Sequence, residues 1–157
     1  MTTSSDGITW SPVRRVTSGT GDNTLPGIGA DPLSASPSAR IGITYYHYDP
    51  RCAPDSCLIS VRFVSSADGG ATWSRPGQVA GPMRSSWLAR IGQGTALSSF
   101  ITTTVLPGGH AVTAFPLASP PTGSTLHQDI YTVSGGLPIR GPLTPQTTGL
   151  QAEAAFR

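Results

Sequence analysis

The sequence predicts an all-β protein, for three reasons. Helical periodicity is almost absent from the chain. The segments with a regular pattern are short and rich in β-branched and aromatic residues. Between them lie 19 glycines and 15 prolines, about a fifth of the 157 residues. This composition excludes a coiled coil and a helical bundle, and the length allows one domain or part of a larger one.

The clearest strands are predicted near the middle of the chain. Residues 40–48 and 57–65 alternate between two faces, and the short loop between them predicts an antiparallel hairpin. Residues 99–106 and 110–116 predict a second hairpin around the turn at Pro107 to Gly109. Further strands are predicted over residues 13–16, 25–31, 77–80 and 128–133. Short strands at this spacing are typical of a sandwich, a barrel or a propeller.

The two cysteines, Cys52 and Cys57, lie in the loop of the first hairpin. A metal site would need more ligands than this pair, and four intervening residues exclude a CxxC redox motif. A local disulfide is favoured over the alternative of two unpaired thiols. Such a bond indicates an oxidising compartment and is worth roughly 2 kcal/mol in the chain-entropy model.

Charge and hydropathy exclude several function classes. The chain has ten Arg, no Lys, seven Asp and one Glu, and no basic run exceeds Arg14-Arg15. Nucleic-acid binding is not expected, because it needs clustered cations. No apolar stretch approaches the roughly 18–20 residues of a membrane span, and the N-terminus has no signal-peptide pattern. The three histidines share no ligand spacing, so no metal is expected. The sequence contains no P-loop and no dinucleotide fingerprint, so no cofactor is expected.

A short motif occurs twice, with the pattern S-x-D-x-G-x-T-W. The full copy consists of Ser66, Asp68, Gly70, Thr72 and Trp73. The copy with one glycine fewer consists of Ser4, Asp6, Gly7, Thr9 and Trp10. A degenerate third copy lies at residues 132–136, without the aspartate and the Thr-Trp ending.

The residue types of this motif suit a tight turn. An aspartate in a turn accepts hydrogen bonds from backbone N–H groups two or three residues further on, and glycine supplies positive φ. The threonine begins the next strand, and the tryptophan is expected to cover the end of the hairpin. The motif therefore predicts structural roles for Asp6, Asp68, Trp10 and Trp73 rather than catalysis or sugar stacking.

The motif resembles the Asp box, or BNR repeat, of sialidases and related β-propellers. Together with residues 26–31, 42–46 and 64–73, the cysteine pair and Gly81-Pro-Met83, it makes residues 4–137 similar to bacterial exo-α-sialidase-like proteins. The resemblance implies a partial β-propeller, about two blades of four-stranded antiparallel sheet from a six-bladed ring. Residues 1–137 would form this domain, with a complete blade at 25–81, and residues 138–157 a weakly structured tail.

The same resemblance implies a function. The chain would be a fragment of a secreted, extracellular sialidase-like glycoside hydrolase acting on terminal sialosides or related glycans, inactive on its own. Sialidases hold the substrate carboxylate with three arginines and use a tyrosine nucleophile, an assisting glutamate and an aspartate acid/base. The candidates here are Asp31 as a functional carboxylate, and Arg40 and Arg90 as ligand-binding residues.

Some residues depart from the family pattern. The sole glutamate, Glu153, lies in the predicted tail. The resemblance places an arginine at Thr95 and an aspartate at Ser99, and both are absent. These departures motivate the alternative of a non-catalytic Asp-box propeller that binds glycan or protein. A third reading is a fragment without a function of its own, which would self-associate through its open sheet edges.

Overall fold

The computed structural model describes residues 1–53, 55–92, 94–97 and 100–141, and the backbone of Ala152–Ala154. Apart from a 3-10 turn at Ser85–Trp87, the regular structure in this part of the chain is β-strand. The strands are β1 (Asp22–Ala30), β2 (Ile41–Tyr48), β3 (Leu58–Ser66), β4 (Gly77–Arg84), β5 (Arg90–Ile91), β6 (Gly94–Thr95), β7 (Thr102–Leu106), β8 (His110–Thr122), β9 (Thr125–Val133), β10 (Leu137–Pro138) and β11 (Ala152–Ala154). The predicted all-β class is confirmed.

The first sheet is an antiparallel meander in the order β1-β2-β3-β4. The predicted hairpin of β2 and β3 is confirmed, with Ile43 opposite Val64 and Tyr45 opposite Arg62. β1 begins earlier than predicted, at Asp22, and a bulge interrupts its pairing with β2 between Thr24 and Gly27. This sheet is the four-stranded unit that the sequence predicted at residues 25–81.

The second sheet contains β7, β8, β9 and β11 in that order, and β10 pairs with β8 beyond the end of β9. β8 extends beyond the predicted end at residue 116 and reaches Thr122. The predicted strand ended at Pro116, but the ladder continues through this residue, which lies opposite Ile130. Pro120 and Pro121 fall where the pairing is irregular, between Ser119 and Thr122, so their missing N–H groups cost no regular pairing.

The two sheets pack face to face around one main core. From the first sheet it includes Tyr46, Val61, Phe63 and Met83, and from the second Val105, Ala111, Phe115 and Ala118. The buried hydroxyls at this interface are hydrogen-bonded, as buried polar groups must be. Tyr46 Oη donates to the Pro116 carbonyl at 2.6 Å, and Thr103 Oγ1 donates to Thr44 Oγ1 at 2.9 Å.

β1 lies directly against β7, and two glycines permit this approach. A Cβ atom added to Gly29 would lie 2.5 Å from the Thr103 carbonyl oxygen. One added to Gly27 would lie 2.9 Å from the Thr102 Cα. Backbone therefore meets backbone at this contact, which leaves no space for a side chain.

The N-terminal segment is an irregular hairpin rather than part of a sheet. The predicted strand at residues 13–16 is wrong, because these residues have no strand ladder. The Met1 amino group donates to the Arg14 carbonyl at 2.7 Å, and the Arg14 N–H donates back to the Met1 carbonyl at 2.8 Å. Isolated bonds of this kind hold the hairpin without producing a continuous ladder.

The described start of the predicted tail is bonded to both sheets. The Ile139 N–H donates to the Gly109 carbonyl at 2.8 Å, and the Arg140 N–H donates to Ser65 Oγ at 2.9 Å. Ala152–Ala154 pairs with β9. Residues 142–151 and 155–157 lie outside the described residues, so for them the weakly structured tail stays a prediction.

The contact between β1 and β7 can be tested with Gly29→Ala. The added methyl group meets backbone that cannot move freely, so we expect a loss of about 1–3 kcal/mol of unfolding free energy, as in overpacked cores. Gly92→Ala is the matched control, since nothing lies within 4 Å of its Cβ position. Equal urea midpoints for Gly29→Ala and Gly92→Ala would contradict the close contact between β1 and β7.

Candidate functional site

The full Asp box forms a closed hydrogen-bond network in the turn between β3 and β4. Ser66 Oγ donates to Asp68 Oδ1 at 2.8 Å and accepts the Gly70 N–H at 2.8 Å. Asp68 Oδ1 also accepts the Thr72 N–H at 2.9 Å, and the Thr72 hydroxyl donates to the other carboxylate oxygen. The Thr72 hydroxyl, followed by its N–H, lowers the pKa of Asp68.

The shortened Asp box repeats this network without a sheet on either side. Ser4 Oγ donates to Asp6 Oδ1 at 2.9 Å and accepts the Gly7 N–H at 2.8 Å. Asp6 Oδ1 accepts the N–H groups of Thr9 at 2.7 Å and Ile8 at 2.8 Å. These backbone bonds, that of Thr9 first, lower the pKa of Asp6. Both aspartates are engaged inside their own turns.

The tryptophans of the two boxes differ. Trp73 Nε1 donates to the Gly70 carbonyl at 3.2 Å, and its ring packs against the cluster of Ile41, Ile43, Tyr45 and Val64. Trp10 is 58% exposed. The expectation that both rings cover the end of a hairpin therefore fails for Trp10. The N-terminal hairpin around it exposes residues 5–10 and offers no sheet face to cover.

Asp68→Asn tests the role of the Asp-box carboxylate. Because the folded pKa of Asp68 lies below the ordinary value of 3.8, its ionised form stabilises the fold above about pH 4. That stabilisation is lost as pH falls below this value. We expect the variant to melt below the wild type at pH 6, with a difference that narrows toward pH 3. Asp129→Asn, at an exposed position on β9, is the control.

Asp31 and Arg40 are brought together at the end of the first sheet that carries the Asp-box turn. Asp31 is 1% exposed, and each of its carboxylate oxygens has a partner. Oδ2 accepts Arg40 Nη1 at 2.9 Å, and Oδ1 accepts the Leu33 N–H at 2.9 Å. The Asp31 N–H also donates to the Arg40 carbonyl at 2.9 Å. The pair closes the loop between β1 and β2, a structural role.

Arg90 lies at the opposite end of the first sheet, near the loop that joins β2 and β3. Its guanidinium forms an ion pair with Asp55 in that loop. Asp55 was not among the predicted site residues, and its one local signal in the sequence is its place between Cys52 and Cys57. The three candidate residues therefore do not form one site, because Asp31 and Arg40 are together and Arg90 is apart.

A cleft of about 340 Å³ surrounds the Arg90 and Asp55 pair. We call it the Arg90 cleft; its described lining includes Leu25, Tyr48, Asp55, Ile59, Arg90, Thr95 and Leu97. The disulfide loop forms one wall, the short hairpin of β5 and β6 forms the other, and the ion pair joins them. Leu25 in the cleft has φ +50°, a conformation that non-glycine residues rarely adopt.

The disulfide loop is anchored at both ends. The predicted bond between Cys52 and Cys57 is present. Cys57 is fixed to the 3-10 turn, since its N–H donates to Ser85 Oγ at 3.1 Å and its carbonyl accepts the Ser85 N–H at 2.9 Å. The disulfide ties Cys52 to the anchored Cys57, so that Asp55 lies in a closed loop of six residues.

Two of the strand tyrosines are poorly placed to act as the nucleophile that the resemblance implies. Tyr45 and Tyr46 are buried, and burial raises the pKa of Tyr45 to about 12. Neither hydroxyl is suited to ionise as a nucleophile near neutral pH. Thr95 lines the Arg90 cleft, whereas Ser99 and the side chain of Glu153 lie outside the described residues.

No protein-family model, curated protein or solved structure matches the chain. Within the described ranges, no group of three or more His, Cys, Asp or Glu residues is placed to hold a metal ion. The same part of the chain has no helix with the length and apolarity needed to cross a membrane.

Replacing both cysteines with serine tests the disulfide loop. Loss of the cross-link enlarges the conformational freedom of the unfolded chain, and we expect about 2 kcal/mol less unfolding free energy in urea. A dithiol reductant should lower the stability of the wild type by a similar amount and leave the double variant unchanged. A reductant effect of equal size on both proteins would contradict this role.

Proposed function

We propose that the two sheets are adjacent blades of an Asp-box β-propeller, and that the chain contributes a carbohydrate-binding cleft to it rather than a hydrolytic centre. The observation that carries the binding function is the Arg90 cleft, where an exposed Arg and Asp pair lies beside apolar and aromatic side chains. The disulfide supports an extracellular location for the protein.

The blade interpretation draws on the packing of the sheets. In a propeller, antiparallel sheets are arranged radially, so that each sheet covers a face of the next. The main core between the two sheets fits this arrangement, as does the close approach of β1 to β7, which would be the innermost strands. The turn between β3 and β4 carries the full Asp box and lies within the blade predicted at residues 25–81.

The Arg90 cleft has the chemistry that carbohydrate recognition requires. Sugar hydroxyls both donate and accept hydrogen bonds, so they suit a site with a carboxylate acceptor beside a guanidinium donor. The C–H face of a pyranose ring is apolar and suits Leu25 and the Tyr48 ring. The cleft volume is at the lower end of the range for small-ligand sites, which fits one or two sugar rings.

An exo-α-sialidase-type hydrolase is the second candidate. The Asp boxes favour it, because their hydrogen-bond networks match the motif on which the resemblance rests. Against it, both Asp31 oxygens are engaged within their loop, and Asp55 is the one carboxylate among the described residues lining the cleft. Release of a fluorescent leaving group from an α-sialoside would support this candidate over the binding function.

Arg90→Met tests the binding function. Methyl glycosides titrated into the full chain should perturb NMR signals of cleft residues. We expect the variant to bind about tenfold or more weakly, because a hydrogen bond to a charged group contributes about 1.5–3 kcal/mol. Arg51→Met is the matched control, since Arg51 is another exposed arginine paired with an aspartate, Asp49, but does not line the cleft. Equal affinity in wild type and Arg90→Met would contradict the proposal.

A further inference from the structure

We infer that the Arg90 cleft selects neutral sugars with adjacent free hydroxyls over sugars that carry a carboxylate. This inference rests on the carbohydrate-binding function proposed above, and it names the ligand class of that same cleft. It also differs from the ligand that the sialidase resemblance implies, which is an acidic sugar.

The first ground is the charge balance of the cleft. Arg90 is the one cation among its described lining residues, and Asp55 is the one anion. The two side chains form a direct ion pair, so the cleft carries no net charge at neutral pH. A sugar carboxylate is attracted to an uncompensated guanidinium, but here it would also meet the charge of Asp55.

The second ground is the set of donors and acceptors left after the pair has formed. The ion pair joins Arg90 Nη2 to Asp55 Oδ1, and both side chains are more than half exposed, at 71% and 58%. Guanidinium N–H groups and the second carboxylate oxygen thus remain open to a ligand. Two neighbouring hydroxyls match this arrangement, because one donates to Asp55 while the other accepts from Arg90. An ionised carboxylate has no proton to donate to Asp55.

The remaining lining supports the same ligand class. Thr95 contributes a neutral hydroxyl at the position where the sialidase resemblance places an arginine. Leu25, Ile59 and Leu97 are apolar, and Tyr48 supplies an aromatic ring. No second cation among the described lining residues reinforces Arg90. Apart from the ion pair, the described lining is therefore uncharged, with apolar and hydroxyl-bearing side chains.

The experiment compares ligands of the two classes on the full chain at low ionic strength. Methyl β-D-galactopyranoside and methyl α-D-mannopyranoside are the neutral probes, and the methyl α-glycoside of N-acetylneuraminic acid is the acidic probe. We expect at least one neutral probe to bind about fivefold or more tightly than the acidic probe. Tighter or equal binding of the acidic probe would overturn the inference while leaving carbohydrate binding intact. Failure of all three probes to bind would count against the proposed function itself.

Asp55→Asn separates the effect of the Asp55 charge on ligand preference from a general loss of binding. Removal of the anion leaves Arg90 uncompensated, so the variant should lose affinity for the neutral probe and gain affinity for the acidic one. Asp49→Asn is the matched control, because Asp49 lies near the same loop and pairs with Arg51 outside the cleft. Both variants replace exposed side chains, and circular dichroism checks their folding. An unchanged preference in Asp55→Asn would overturn the inference.

Discussion

The contact of β1 with β7 is the constraint on which the rest of the structure depends. At Gly27 and Gly29 the two backbones approach so closely that a Cβ atom would overlap the facing chain. This approach brings the inner faces of the sheets together and allows Tyr46 to reach the Pro116 carbonyl. It therefore sets the distance at which the large core side chains, such as Phe63 and Phe115, fill the space between the sheets.

The Asp-box turns show which features the local sequence determines. The same serine and aspartate bonds form in the exposed N-terminal hairpin and in the turn beside the first sheet. All partners lie within four residues, so the motif predicts the turn wherever it occurs. The packing of the tryptophan depends on a sheet face supplied by distant residues. For that reason the sequence predicted the turn correctly in both places and the ring packing in only one.

The strands and the cleft show the same contrast between features set by neighbouring residues and features set by distant ones. Alternating residues predicted the pairing of β2 with β3 and of β7 with β8, because these hairpins are local. The Arg90 cleft depends on an ion pair between residues 35 positions apart, which no short pattern encodes. The extension of β8 was missed for a related reason: whether a proline interrupts a strand depends on the partner facing it. The Cys52 and Cys57 spacing was informative because the bonded residues are near neighbours.

Burial distinguishes the Asp31–Arg40 pair from the Asp55–Arg90 pair and determines which of these two pairs is open to a ligand. The Asp31 side chain is inaccessible, and its oxygens bond to Arg40 and to the Leu33 N–H. Removing a partner from such a carboxylate leaves a buried charge without compensation, so this pair is suited to fixing a loop. Asp55 and Arg90 remain largely exposed, and an exposed pair contributes little to stability. Its groups can exchange water for ligand hydroxyls at small cost, which the proposed binding function requires.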